Sequence, residues 1–453
     1  MLINEIIQKF IFWIKYVLAY QIKAFLYFPV TFIKRVILGK EDYWRKFFFE
    51  RWGWIDKKSI CNFNMDKKIL IDALGVGEVK QIKQFCELIK SEFSQAKIII
   101  FTNNVDSYKL AEEYVCVDCV LNSGWDINFV AERFLTRVKP TLFISIENAH
   151  FPIFLKKAQE LNIPTVLCSG FFPTGWDKNS FMKRSFFLQF YKYLDYIFVK
   201  GESDFTNFRN YVKENSNLKI LGDLKYDSCV ELLDENASVN LKHKLGFTDN
   251  DYIIVAGSVH AYEFPFLLKS FKLIEKIWGR TKLVIAPRWL KDTDILIRVC
   301  SEYNFIFKLR TSSKDCDFNI LILNTFGELK DIYSIADIVF IGGSLIKESS
   351  VNESKGWNGL CHNIIEPLLY KKPILFGSNN VFRKEILDSF LSIGKFLQVD
   401  NSMDFFNAVK VIKSNRRINE KISNVCMSLI ADNKNPSVKH LRAIKHIMVN
   451  ERN

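Results

Sequence analysis

The chain has 453 residues, more than one hydrophobic core usually serves, so its length predicts two domains. The net charge of +13 indicates an anionic partner, which could be nucleic acid, a phosphate-bearing substrate or an anionic membrane face. Since no basic motif with interleaved aromatic residues is present, we expect no nucleic-acid partner. Ten cysteines without a recognisable signal peptide indicate reduced thiols in a cytoplasmic compartment and argue against a disulfide framework.

The first sixty residues differ in composition from the rest of the chain. Residues 10–33 are densely aromatic and aliphatic, but Lys15 and Lys23 interrupt them before any uncharged run reaches the roughly 18 to 20 residues of a spanning helix. Basic residues outnumber acidic ones between residues 1 and 58, so an anionic lipid surface would attract this part of the chain. We therefore predict a membrane-associating helical segment over residues 1–60 that lies on the membrane in preference to crossing it. The alternative is a helical hairpin packed on the protein's own core.

From residue 67 strand-like and helix-like segments alternate, which predicts an α/β fold. A first strand leads into a loop with Gly75 and Gly77, and a helix begins near Glu78. Open parallel sheets bind ligands beyond the carboxyl ends of their strands, and both Glu78 and Glu147 fall at such positions. Further strands are predicted at residues 96–102, 140–147, 164–170 and 195–201.

A second α/β unit begins near residue 250, after a polar and charged stretch at about 228–250 that we interpret as the interdomain linker. Residues 324–345 predict a glycine-containing loop, an amphipathic helix and an apolar strand that ends in Gly342-Gly343. Together with the CHNIIEP segment at 361–367, this pattern is typical of a nucleotide-sugar pocket. Other strands of this unit are predicted at residues 251–260, 281–289, 319–324 and 371–378.

Glu78 is the candidate general base. Gly75 and Gly77 allow the turn out of the strand without a Cβ clash, and they present Glu78 at the mouth of the expected cleft. A carboxylate there could accept the proton of an attacking hydroxyl as the new bond forms. The alternative is a first-turn glutamate that only complements the helix dipole.

Loops of the second unit carry candidate ligands for a nucleotide. Arg288 follows Pro287 at the end of a strand, and its planar guanidinium could donate two parallel hydrogen bonds to a phosphate. The alternative is that Arg288 is an exposed surface arginine that binds no ligand, which would give the same sequence pattern. Gly327 and Glu328 open a helix whose free N–H groups could hold an anion, and Glu366 could accept hydrogen bonds from ribose hydroxyls.

We predict a mechanism without a metal ion or another cofactor. His260 and His362 fall near the proposed pocket, but no set of His, Asp and Glu has convincing metal-ligand spacing, and no DxD motif is placed to hold a diphosphate-bound metal. GxGxxG is absent, so a dinucleotide is not indicated. Lys225 would be a cation at the junction of the domains, where it could offset negative charge on a transferred acid sugar or its leaving phosphate. A solvated surface lysine is the alternative.

Several sequence blocks follow one another in a specific order. They are GVGE at 75–78, FLTRVKPTLFISIE at 134–147, LGDLKYD at 221–227, AGSVH at 256–260, APR at 286–288, NTFGELKDIYSIADIVFIGGSL at 324–345, HNIIEP at 362–367 and LFGS at 375–378. In this order the chain resembles the Kdo transferases, inner-membrane enzymes that move 3-deoxy-D-manno-octulosonic acid (Kdo) from CMP-Kdo onto a lipid A precursor. The resemblance covers nearly the whole chain, beginning at residue 35.

The resemblance implies a GT-B glycosyltransferase fold, in which two Rossmann-like domains face a cleft. It implies an N-terminal acceptor domain at 65–235 and a C-terminal nucleotide-sugar (CMP) domain at 250–435. It also implies inverting transfer in one displacement and without a metal. Kdo would pass from CMP-Kdo to a lipid A precursor, lipid IVA, in lipopolysaccharide core biosynthesis at the cytoplasmic face of the cell inner membrane.

The resemblance also assigns roles to individual residues. Glu78 matches the base, while Glu147 and Lys225 match positions near the transferred group, where they would stabilise the transition state. The implied partners are CMP-Kdo, the lipid A precursor and a membrane surface with anionic lipid. The residues implied to bind CMP are Pro287, Arg288, Phe326, Gly327, Glu328, Asn363, Ile364, Ile365 and Glu366.

The chain departs from the family pattern mainly around the acceptor and the sugar. The family's His-Ala-Ala-Ser before Val-Gly-Glu is here residues 72–75, Asp-Ala-Leu-Gly, and its Glu-Thr-Glu is here residues 147–149, Glu-Asn-Ala, which removes one carboxylate. The usual Asn-Ala-Arg is Ser-Gly-Phe at 169–171, which removes an arginine. Another CMP-linked nonulosonate-type sugar or another acceptor therefore stays open. Two further alternatives are a GT-B-like epimerase acting on a UDP-sugar and a non-catalytic membrane scaffold.

Overall fold

The computed structural model describes residues 49–55, 67–172, 191–209, 212, 217–229, 232–312, 317–345, 362–378 and 384–450. Two compact units make up the chain: unit 1 comprises residues 1–228 and 435–453, and unit 2 comprises residues 229–434. The predicted membrane-associating segment at 1–60 lies outside the described residues apart from 49–55. Among the helices that the structure describes, none combines the length and apolar character needed to cross a bilayer.

Unit 1 is built on a parallel sheet whose seven described strands have the order β3-β2-β1-β4-β5-β6-β7. The strands are β1 (Lys68–Asp72), β2 (Lys97–Thr102), β3 (Cys119–Asn122), β4 (Leu142–Ile146), β5 (Thr165–Gly170), β6 (Tyr196–Val199) and β7 (Asn217–Ile220). The helices between them are α1 (Val76–Glu92), α2 (Val105–Glu112), α3 (Asn128–Val138), α4 (Pro152–Glu160) and α5 (Glu202–Arg209). The α/β fold expected from the alternating pattern is confirmed, and the predicted strands at 96–102, 140–147, 164–170 and 195–201 correspond to β2, β4, β5 and β6.

The strand order of unit 1 reverses between β1 and β4. The chain runs outward from β1 through β2 to β3, and then continues with β4 on the other side of β1. Ligands of open parallel sheets bind beyond the carboxyl ends of the strands at such a reversal. Glu78 follows β1 and Glu147 follows β4, so both predicted carboxylates lie at this point.

Both faces of the unit 1 sheet are buried, which explains why its strands are apolar without alternation. Leu70 and Phe101 belong to the core on one face, where the Phe101 ring lies 4.7 Å from Phe134 and 5.4 Å from Phe154 between centroids. Ile71 belongs to the core on the other face. Two packed layers of helices therefore fix the strand ends, and with them the loops that follow.

Unit 2 is a second parallel sheet, with the described strands in the order β10-β11-β9-β8-β12-β13. These are β8 (Tyr252–Val259), β9 (Thr281–Pro287), β10 (Phe307–Leu309), β11 (Ile320–Ile322), β12 (Ile338–Ile341) and β13 (Ile374–Leu375). Its helices are α6 (Glu235–Lys244), α7 (Phe264–Glu275), α8 (Thr293–Glu302), α9 (Leu329–Ile332), α10 (Ile365–Leu369), α11 (Lys384–Leu391), α12 (Ser402–Ser414) and α13 (Arg416–Asp432). The order reverses between β8 and β12, so His260 and Gly342 follow the two strands at this reversal.

The last helix, α14 (Pro436–Asn450), returns to unit 1, where it packs on α1 and buries Ile444 and Ile447. Two polar contacts hold its first turns. The N–H of Ser437 donates to Asp227 at 2.7 Å. Nε2 of His440 accepts a hydrogen bond from the Ser169 N–H at 3.2 Å, and Nδ1 donates to the Pro436 carbonyl at 2.8 Å. These partners require the neutral imidazole with its proton on Nδ1.

Burial lowers the pKa of His440 to about 4. Because the unfolded chain takes up a proton here near pH 6.5 and the folded unit does not, stability falls as the pH drops from 6.5 towards 4. This linkage contributes about 2 kcal/mol of lost stability between pH 7 and pH 5. We expect His440→Gln to be less stable than the wild type at pH 7 but to lose about 2 kcal/mol less on acidification to pH 5. Urea unfolding followed by circular dichroism at both pH values measures this difference, and equal acid dependence in both proteins would contradict it.

Candidate active site

Glu78 lies in the first turn of α1, and its two carboxylate oxygens have different surroundings. Oε2 accepts hydrogen bonds from the main-chain N–H groups of Leu74 at 2.5 Å and Gly75 at 3.2 Å. This contact caps the helix, as the alternative interpretation of Glu78 requires. Oε1 instead lies 3.5 Å from Nε2 of His150. One oxygen therefore caps the helix, and the other lies next to the His150 ring.

The two glycines before Glu78 have a different role from the one predicted. A Cβ at Gly75 or Gly77 would meet no atom within 4 Å, and Gly75 has a negative φ of −102°. Steric relief of the turn therefore does not require glycine at either position. Instead, the missing side chains leave open space in front of the first turn of α1, where a substrate could approach Glu78.

His150 lies between β4 and α4, close to three acidic residues. Its pKa is raised to about 9: burial works to lower it, but the interaction with Glu78 and the negative charges of Asp72 and Glu147 outweigh burial. The distance of 3.5 Å to Glu78 is that of an ion pair with a long or poorly directed hydrogen bond. His150 thus interacts electrostatically with both carboxylates predicted from the sequence, Glu78 and Glu147.

Asp72, the last residue of β1, is fully buried behind this pair. Its Oδ2 accepts from the Ser145 hydroxyl at 3.3 Å, and its Oδ1 has no hydrogen-bond partner in the described part of the chain. Burial raises the pKa of Asp72 to about 8, against the lowering effect of the His150 charge. Glu78 is the carboxylate that lies within ion-pair distance of His150.

Glu147 is a buried carboxylate held by two lysines. Its Oε1 accepts from Nζ of Lys200 at 2.7 Å and from Nζ of Lys225 at 2.6 Å. Burial alone would raise the pKa of Glu147, but the charges of the two lysines hold it well below its usual range. Glu147 has a φ of +64°, a left-handed conformation that side chains rarely adopt, so the backbone is strained to point this carboxylate at the lysines.

The loop that carries Lys225 is fixed by polar contacts. The Ser169 hydroxyl accepts from the Leu224 N–H at 2.9 Å and donates to the Gly222 carbonyl at 3.4 Å. The Asp223 carboxylate accepts from the N–H of Lys225 at 3.0 Å, and its other oxygen lies 3.5 Å from Nζ of Lys200. The four charges of Glu147, Lys200, Asp223 and Lys225 therefore form one network at the carboxyl end of the sheet.

In unit 2, a buried glutamate shapes the loop after β12. Glu263 accepts from the N–H groups of Gly343 at 2.9 Å, Leu345 at 3.3 Å and His260 at 2.9 Å. Burial raises the pKa of Glu263 to about 7, against the lowering effect of these amide donors. Gly343 has a φ of +74°, which glycine adopts without strain. The Gly342-Gly343 sequence thus marks a loop that curls around an internal carboxylate.

Arg288 lies at the carboxyl end of β9, directly after Pro287. Its N–H donates to the Val259 carbonyl at 2.7 Å, and its guanidinium lies over the Trp289 ring at 5.1 Å. Nearby, Nε2 of His260 is 2.9 Å from Nε2 of His362. Burial and the charge of Arg288 lower the pKa of both imidazoles, that of His362 to about 3. These side chains form an exposed cationic group next to two neutral imidazoles.

The other predicted donor residues have unequal access to a ligand. Phe326 is 76% exposed, and Gly327 has a φ of +91° with open space around it. Glu328 accepts from Nε of Arg310 at 2.8 Å. Asn363 uses its Oδ1 to accept from the Ile365 N–H at 3.1 Å, and Glu366 lies in the first turn of α10. The side chains of Ile364 and Ile365 are fully buried, so only their main-chain atoms could reach a ligand.

Sequence reasoning missed several residues of these groups. Lys200 lies in the DYIFVKG segment at 195–201, directly after the strand, and a lysine at the end of a buried strand is a signal that could have found it. His150, Asp223, Glu263 and Arg310 had no comparable signal, because their partners are distant in sequence. Among the described residues, no group of three or more His, Cys, Asp or Glu could hold a metal ion.

Two parallel-sheet Rossmann-like domains define the class of GT-B glycosyltransferases and related epimerases. The solved structure of UDP-GlcNAc 2-epimerase from Neisseria meningitidis bound to UDP-GlcNAc has this fold, with a TM-score of 0.57, 11% identity, and coverage of 85% of this chain and 100% of that chain. At this identity the similarity establishes the fold alone.

The family model described as 3-Deoxy-D-manno-octulosonic-acid transferase (kdotransferase) matches residues 46–228. The 3-deoxy-D-manno-octulosonic acid transferase of Haemophilus influenzae is 23% identical over 385 residues, covering 83% of this chain and 86% of that protein. A bifunctional glycosyltransferase/methyltransferase of Fusobacterium nucleatum is 24% identical over 380 residues; the match covers 79% of this chain and 54% of that protein, about half of its length. The chain is therefore similar to Kdo transferases over most of its length and diverges strongly from them in sequence, which supports the resemblance carried by the order of its sequence blocks.

The charge network around Glu147 leads to a prediction for Lys200→Met. This substitution leaves Glu147 with one lysine and removes the ion pair of Asp223, whose side chain is 2% exposed. Removing one partner of a buried ion pair leaves the other charge buried without its partner, so we expect the unfolding free energy to fall by about 3 kcal/mol. Urea unfolding at pH 7 measures it.

The control for this variant is Lys200→Met combined with Glu147→Gln, which removes the stranded charge as well. The double variant should recover part of the lost stability. A double variant as unstable as the sum of the two single changes would contradict the coupling of these residues.

Proposed function

We propose that the protein is an inverting glycosyltransferase that moves Kdo from CMP-Kdo to a lipid A precursor, lipid IVA, in lipopolysaccharide core biosynthesis. The observation that carries this proposal is the position of Glu78. In a chain similar to the Kdo transferases, this carboxylate lies at the strand-order reversal of unit 1 with open space in front of it. Its Oε2 is held by two amides while Oε1 remains available for proton transfer.

In the proposed reaction a hydroxyl oxygen of the acceptor attacks the anomeric carbon of Kdo. The bond between that carbon and the phosphate oxygen of CMP breaks, and its electron pair leaves with CMP. The proton of the attacking hydroxyl passes to Oε1 of Glu78. A single displacement of this kind inverts the configuration at the anomeric carbon and needs no covalent enzyme intermediate.

The cations of unit 1 suit an acidic sugar. Kdo carries a carboxylate, and its transfer releases a phosphate monoester, so negative charge is present on both sides of the breaking bond. Lys225 is partly exposed next to Glu147, and the network with Lys200 and Asp223 holds it in place. Because this cation is already oriented, it could stabilise the transition state without reorganisation.

Unit 2 is proposed to bind CMP. Arg288, Phe326 and Gly327 are exposed at strand ends, where an arginine, an aromatic ring and free main-chain groups could contact phosphate, base and ribose. Main-chain atoms of Asn363, Ile364 and Ile365 and the carboxylate of Glu366 complete the proposed set.

We place the protein at the cytoplasmic face of the inner membrane. The basic and aromatic composition of residues 1–60 supports association with an anionic lipid surface, where a lipid-linked acceptor would be located.

Glu78→Gln tests the proposed base. General-base catalysis contributes roughly 100- to 10,000-fold, so we expect kcat to fall by about 1,000-fold while the affinity for CMP stays the same. CMP release and the mass of a tetra-acylated lipid A precursor, followed together with CMP-Kdo generated in place, measure the reaction.

The matched control is Glu87→Gln, an exposed glutamate on the same helix, which should transfer like the wild type. Full transfer by Glu78→Gln would exclude Glu78 as the base. If the wild type releases CMP but the mass of the acceptor does not increase, CMP-Kdo is the donor and the lipid A precursor is not the acceptor. CMP binding without turnover would favour another CMP-linked sugar or the scaffold alternative.

Arg288→Ala tests the donor site. A charge-assisted hydrogen bond contributes about 1.5 to 3 kcal/mol, so losing the guanidinium should weaken CMP binding roughly 10- to 100-fold with the fold intact. Isothermal titration with CMP measures the affinity. Arg298→Ala, which changes an exposed arginine on α8, is the control and should bind like the wild type. An unchanged affinity in Arg288→Ala would remove Arg288 from the site.

A further inference from the structure

Among the residues that the structure describes, His150 is the side chain that lies within ion-pair distance of the proposed base. Its Nε2 is 3.5 Å from Oε1 of Glu78 and makes no hydrogen bond within the described residues, although it is shielded from solvent. The ring as a whole is partly open, since 27% of the side chain is exposed. A shielded polar nitrogen without a hydrogen bond therefore faces the oxygen that would take the proton.

The surroundings of Glu78 explain why such a neighbour matters. Oε2 is fixed by the amides of Leu74 and Gly75, so rotation of the carboxylate about its last bond is already restricted. Oε1 has no comparable amide, and the missing side chains at Gly75 and Gly77 leave open space in front of this turn. The His150 nitrogen is the described group that can set the direction of Oε1.

The charged groups around His150 come from three elements. They are Glu78 on α1, Asp72 at the end of β1 and Glu147 after β4. Asp72 is fully buried, and Glu147 is paired with Lys200 and Lys225. Within the described part of the chain, His150 is the cationic partner of Glu78.

We propose that His150 is a positioning residue for the base: its imidazolium pairs with Oε1 of Glu78 and directs this oxygen towards the acceptor hydroxyl. This inference rests on the proposed function, because it assigns a role in the same site. The 3.5 Å distance is compatible with a contact that tightens when substrate is bound, as catalytic hydrogen bonds in ligand-free sites often do.

A role of His150 as the base itself is less consistent with the site. A base must be unprotonated before it acts, whereas the surrounding acidic groups raise the pKa of His150 to about 9. At neutral pH the ring carries its proton and can donate to Glu78 but cannot accept from the substrate. Glu78 keeps the proton-accepting role, and His150 supports it from the side.

The first test measures the pairing without any turnover. The chain has six histidines, so isotope labelling of histidine alone gives few signals, and the signal missing in His150→Gln or His150→Asn identifies His150. Nuclear magnetic resonance titration should give a His150 pKa that falls by about one unit or more in Glu78→Gln, because an opposite charge at this distance shifts a pKa by about 1 to 3 units. Glu87→Gln is the control and should leave it unchanged. An equal His150 pKa in wild type and Glu78→Gln would overturn the proposal.

The second test uses activity. In His150→Gln, Oε1 of Glu78 loses the side chain that directs it, so kcat should fall while KM for the acceptor and the affinity for CMP stay the same. An unchanged kcat would overturn the positioning role. A rise in KM or a loss of CMP affinity that accompanies the fall in kcat would also overturn it, since a general structural loss affects binding as well. If the wild type shows no transfer, the proposed function fails, and the titration still decides whether the pair exists.

Discussion

A carboxylate can stay ionised inside a protein only if cations or amide hydrogens replace the water that it has lost. Four acidic residues of this chain, two buried and two partly buried, show different ways of meeting that constraint. Glu147 has two lysines. Glu263 accepts from main-chain amides, and burial raises its pKa to about 7. Glu78 has two amides on one oxygen and a histidine beside the other. Asp72 has a serine hydroxyl on one oxygen, and burial raises its pKa to about 8. The charge pattern of the candidate site follows from these local solutions.

The lysine network also explains a strained backbone. A left-handed conformation at a residue other than glycine costs roughly 1 to 3 kcal/mol of folding free energy. Glu147 keeps this conformation because the contacts around it hold the residue in place. These contacts are the short hydrogen bonds from Lys200 and Lys225. Strain of this kind is typical of residues whose exact direction matters more than their contribution to stability, and it agrees with the place of Glu147 at the strand-order reversal.

The fold was largely predictable, while the site was predictable only in part. Runs such as KILID and KIIIFT are strongly apolar and are followed by helical patterns, so strand positions and the α/β class follow from local sequence. Glu147 comes directly after a strand and Glu78 lies in the first turn of the helix after one, so local sequence places both near the carboxyl edge of the sheet. His150 and Asp223 could not be found in this way, because their roles depend on residues 72 and 23 positions away in sequence that only the folded sheet brings close. The steric reason given for the glycines before Glu78 was wrong, because no described atom crowds their Cβ positions.

The return of α14 to unit 1 changes how the chain must be assembled. Unit 2 is inserted between residues 228 and 435, so the helix that covers α1 and accepts the Ser169 amide through His440 is translated only after the whole of unit 2. The core that contains Phe85 and Ile71 therefore lacks Ile444 and Ile447 until more than two hundred further residues have been made. Unit 1 begins to be translated before unit 2 but obtains α14 only after it, so loss of α14 would damage the unit that is far from it in sequence.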